Sequence, residues 1–90
     1  MTLRIEKVPR EHGTTIKLIG RIRAEYLADL KEQIAASAPD IVLDLKEVSL
    51  VDADVVRFLV ICESQGIRLE KCSAYIREWI AREKEIANKK

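Results

Sequence analysis

Aromatic side chains are scarce in this sequence, which has one Trp, two Tyr and one Phe in 90 residues. The core is therefore expected to be aliphatic, and Trp79 is read as a packing anchor, because nothing near it supplies convergent polar groups for a ligand. Three glycines and two prolines leave no room for a flexible linker or a low-complexity segment, and there is no internal repeat. One domain spans residues 1–90. His12, the one histidine, lies beside Glu11 in a predicted turn and is read as solvated. The two cysteines, Cys62 and Cys72, sit in separate apolar segments outside any CxxC and are read as buried free thiols. No metal site is expected from so few ligands.

No apolar run approaches the roughly 18 to 20 residues that span a bilayer. The first residues, Met1-Thr2-Leu3-Arg4, have no apolar core of signal-peptide length. The chain is expected to be cytoplasmic, with no direct membrane insertion. Sixteen basic and fifteen acidic residues leave a formal charge of +1, so no net field points to nucleic acid. GxxxxGK, GxGxxG and HExxH are all absent. Asp52 and Asp54 are the one close carboxylate pair weighed as acid and base, but they fall on a predicted exposed tip where water screens them. No catalytic residue and no cofactor is assigned.

What the chain does have is apolar residues, at 48% of the total, organised around residues 41–60. Ile41-Val42-Leu43 and Leu45 form a short β-branched run between Pro39-Asp40 and Lys46-Glu47, which predicts a buried strand ending at the charged pair. A second block, Val55 to Cys62, follows Asp52-Ala53-Asp54 and predicts a helix with Asp52 as its N-cap. In that helix Val56, Leu59 and Val60 are expected to face the sheet. Phe58, Ile61 and Val55 are then left pointing partly outward.

Before this unit, Leu3 to Val8 and Thr14 to Ile19 alternate as half-buried strands, with Pro9 and Gly13 punctuating an antiparallel hairpin. Leu27, Leu30 and Ile34 fall at helical spacing within an amphipathic helix over 24–37. Arg21 and Arg23 bring positive charge to the positive end of that helix, which makes them a candidate anion site. After the unit, Gly66 suits a helix C-cap, Ile67 to Glu70 a strand with one wet face, and Ser73 the N-cap of a last helix. Ile76, Trp79, Ile80 and Glu83 mark the inner stripe of that helix, with Tyr75 flanking it, and its end at Lys90 is expected to fray. The prediction is an α/β fold: an initial β-hairpin, then β-α units, giving a mixed sheet of about four strands and about three helices.

Several of these segments together resemble the STAS domain, the family of anti-anti-sigma factors and of related domains in sulfate transporters and lipid-transport complexes. The resemblance rests on Ile41 to Leu45, on Val48 and Leu50-Val51, and on Asp52-Ala53-Asp54-Val55-Val56 with Leu59. Thr14 to Arg21 is similar to the family's opening strand, Ala24 to Ala35 to its first helix, and Gly66 to Cys72 to its G-I-x-L strand. The resemblance implies helices mainly on one side of the sheet. It also implies that the second helix and the loop before it dock a regulatory protein partner. The family carries a phospho-accepting Ser or Thr after the loop aspartate, where this chain has Ala53 and Asp54, and a glycine where this chain has Val55. No hydroxyl is present at this tip. The family's chain usually continues with another strand and helix, which would leave the last strand here uncovered.

These features lead to the expectation of a non-enzymatic protein–protein interaction module of bacterial signalling and transcription regulation. It would resemble an anti-sigma factor antagonist not switched by Ser/Thr phosphorylation at its tip. The expected partner-binding residues are Asp52, Ala53, Asp54, Val55 and Phe58, and the expected partner is an anti-sigma factor of the kinase type or a transporter ATPase. The alternatives are a subunit of a lipid-transport or sensory complex, and a small anion- or nucleotide-binding domain built on Arg21, Arg23 and Ser73. A homodimer through the second helix or the uncovered strand is a further option.

Overall fold

The computed structural model describes residues 3–37 and 40–88. Pro39, the predicted breaker ahead of the central strand, and Lys90, in the predicted frayed end, lie outside the described residues. The chain runs β1 (Arg4–Arg10), β2 (Gly13–Ile22), a 3-10 turn (Ala24–Tyr26), α1 (Leu27–Ser37), β3 (Ile41–Val51), α2 (Ala53–Ser64), β4 (Arg68–Glu70) and α3 (Ala74–Asn88). The four strands form one sheet in the order β1-β2-β3-β4. β1 and β2 are the antiparallel hairpin, and β2, β3 and β4 run parallel. This is the α/β architecture that the order of apolar patterns predicts.

Two local expectations are corrected. Pro9 lies inside β1, not in the turn; β1 is an edge strand, where a missing N–H is tolerated. The central strand does not stop at Lys46-Glu47 but continues to Val51. Its register against β2 shifts between Lys17 and Ile19 and again between Gly20 and Arg21. Each shift inserts an extra β3 residue, as β-bulges do, and Gly20 adopts φ 103° beside the second one. Buried positions therefore fall at Leu45, Val48 and Val51 while Lys46, Glu47, Ser49 and Leu50 stay exposed. A spacing of three breaks the alternation that announces a strand, and for that reason this half reads as loop.

Strand alternation puts Ile16, Leu18, Leu43 and Leu45 on one face, each at most 1% exposed. Leu30 of α1, Val55, Val56 and Leu59 of α2, and Ile76 and Ile80 of α3 complete the core against that face. The three helices thus cover the same side of the sheet. On the opposite face the register aligns Val8, Thr15, Val42 and Arg68 in one row and Glu6, Lys17, Asp44 and Glu70 in the next.

Close contacts at the element ends fix the helices in place. Gly13 sits where a β-carbon would come 2.2 Å from the Asp40 carbonyl oxygen, and the neighbouring Thr14 N–H donates to that oxygen at 2.9 Å. The hairpin is thereby locked to the start of β3. α2 ends in a Schellman motif: the Ile67 N–H donates to the Cys62 carbonyl at 3.0 Å and the Gly66 N–H to that of Glu63 at 3.1 Å, with Gly66 at φ 90°. Ser73 caps α3 as predicted, its hydroxyl accepting from the Ile76 N–H at 3.3 Å. α3 is tied back to α2 by the Glu63 carboxylate, which lies between Arg77 and Lys84.

Candidate partner-docking site

Asp52 is the first residue past β3, and its backbone is still extended, at φ −105° and ψ 176°. That conformation aims its carboxylate back over the first turn of α2, where one oxygen accepts from the Val55 N–H at 3.1 Å. The other oxygen accepts from the Ala24 N–H at 2.8 Å. One carboxylate therefore closes the starts of two helical segments, its second bond reaching 28 residues back in sequence. Capping of α2 is what the sequence predicts; the second bond is not visible there, because it depends on the β2–β3 register that brings Ile22 beside Val51.

The double cap bears directly on the candidate anion site. Asp52 already supplies the negative group at the helical start after Arg23, the place an anion would take. Arg21 and Arg23 are both exposed. Arg21 pairs in register with Leu50 on the open face of the sheet, and Arg23 lies 3.9 Å from Glu25. Ser73 is remote from both, since β4 pairs with β3 near Asp44 while β2 ends beside Val51, about 20 Å further along that strand. Arg21, Arg23 and Ser73 do not form one site.

Ala53 and Asp54 open α2, and Asp54 is exposed. Its carboxylate bonds the Arg57 guanidinium one turn on, at 3.1 Å, and Arg57 also reaches Glu83 of α3 at 3.4 Å. Val55 is fully buried, which corrects the expectation that it faces a partner. Its position one turn ahead of Leu59 places it on the sheet side. Phe58 is also more enclosed than expected, at 9% exposure, with the Lys31 ammonium 5.8 Å from its ring centroid. Ile61 is the apolar residue of α2 that stands out, at 52%, whereas Val60, expected to face the sheet, is only half-buried. The helix is rotated slightly from the predicted setting so that Val55 and Cys62 go in.

Asp54, Phe58 and Ile61 nevertheless converge. Together with Leu27, Lys31 and Ile34 of α1 they line a groove of about 590 Å³ between α1 and α2. Ile41, Cys62 and Ile67 also line it. Lys31, Asp54, Arg57 and Gln65 supply its polar rim. The α1 wall is the part that sequence reasoning left out. Leu27 and Ile34 register there as a core stripe and Lys31 as outer surface, because helical spacing alone does not show that the neighbouring helix stands far enough off to leave a cleft.

Cys62 lies in this groove as a free thiol, and burial pushes its pKa up to about 11 against a smaller opposing pull from Lys31. At neutral pH it is protonated and a poor nucleophile. The groove offers apolar surface with a charged rim. No family model and no curated protein matches the chain. Among the described residues no helix is long and apolar enough to cross a membrane.

Proposed function

We propose that this chain is a non-enzymatic protein–protein interaction module that receives its partner on the α1–α2 face. The single observation that carries the proposal is the convergence of Phe58 and Ile61 with Leu27 and Ile34 in one apolar groove rimmed by Asp54, Arg57 and Lys31. An apolar centre with a charged rim is the common make-up of a recognition surface. The groove runs about 16 Å along α2 from Asp54 to Gln65, the length of about three helical turns, which suits an amphipathic partner helix.

Within this proposal the chain acts as an anti-sigma factor antagonist of the STAS type, and its partner is an anti-sigma factor. Support comes from the hairpin-first α/β topology, from the aspartate that caps the helix after the central strand, and from the placement of the groove beside that helix. The tip has no hydroxyl at positions 53 and 54, so the module binds without a phosphorylation switch there. Unpaired Cys62 and Cys72 fit a reducing compartment, in keeping with action in the cytoplasm.

The test is capture from lysate of the source organism on the immobilised natural chain and on an Ile61→Glu variant, followed by reconstitution with the purified captured protein. The proposal expects a stoichiometric protein that binds the natural chain directly and loses at least tenfold in affinity for the variant. Equal binding to both chains contradicts it.

A further inference from the structure

We draw no further inference here: the strongest candidate, the exposed apolar patch on the outer side of α3 around Tyr75 and Ile86, carries nothing beyond the site already described, because nothing in the structure shows what covers it.

Discussion

The Asp52 carboxylate caps α2 through the Val55 N–H and, with its second oxygen, holds the Ala24 N–H at 2.8 Å. The relationship joins the end of the central strand to the entry of both helices that wall the groove. Asp52 thereby ties together the two walls of the groove and is itself only half-exposed.

Removing that carboxylate is expected to cost more than an ordinary cap. Loss of an N-cap costs about 1 kcal/mol, and a second partly buried N–H left unpaired adds about 1 kcal/mol or more. Asp52→Ala is therefore predicted to lower stability by about 2 kcal/mol, a fall in Tm of about 10 °C for a domain this size. Asp52→Asn keeps an acceptor for one of the two N–H groups and should fall about half as far. Thermal unfolding followed by circular dichroism measures both.

Gly13 is predicted to resist even a methyl group. The Asp40 carbonyl oxygen stands 2.2 Å from where the β-carbon would lie, and that oxygen cannot move aside without losing its bond to the Thr14 N–H. Gly13→Ala should cost about 1–3 kcal/mol through overpacking, read from the urea midpoint. A neutral result would show that the hairpin and β3 are not locked together here.

Acid should loosen α3. Burial would raise the pKa of Glu63, but its bonds to Lys84 and Arg77 outweigh that and hold it below the ordinary glutamate value. A carboxylate lowered on folding gives stability that is complete above the unfolded value, near ~4.3, and disappears as pH falls through the folded one. The stability difference between the natural chain and Glu63→Gln should therefore be present at neutral pH and shrink as pH falls below the unfolded value and through the lowered folded one. Urea titrations of the two proteins across that range give the comparison.

Lys71 is the residue where strain is expected to be recoverable. It directly follows β4 and lies in the left-handed region, at φ 58°, which disfavours any side chain with a β-carbon by about 1 kcal/mol. Its ion pair with Asp44, at 3.8 Å and with the lysine 60% exposed, is worth little in return. Lys71→Gly should raise Tm by a few degrees. A lower Tm would mean that the Asp44 contact outweighs the backbone.

The hairpin, the three helices, the α2 cap and the Gly66 stop were legible in the sequence because each is a local signal of period or cap chemistry. The second half of β3 was not, because its bulges change the spacing of inward residues from two to three at Leu45, Val48 and Val51. Among the site residues, Asp54 and Ile61 were placed correctly as exposed. Val55 was not, since a rotation of α2 by a fraction of a turn decides which of several apolar residues goes inside. The groove itself depends on the separation of α1 from α2 and on the long-range bond from Asp52 to Ala24, and neither is a property of any one segment.

The central claim is that the α1–α2 groove is where this chain meets its partner. Its most direct test is site-specific photo-crosslinking in the source cells, with the photoreactive side chain placed at Ile61 or at Val8. The two positions are almost equally exposed, at 52% and 50%, but Val8 lies on the open face of the sheet. The account predicts a discrete crosslinked product from position 61, to a foreign protein or to a second copy, and none of that mass from position 8. Products that are absent from position 61, or the same from both positions, would contradict it.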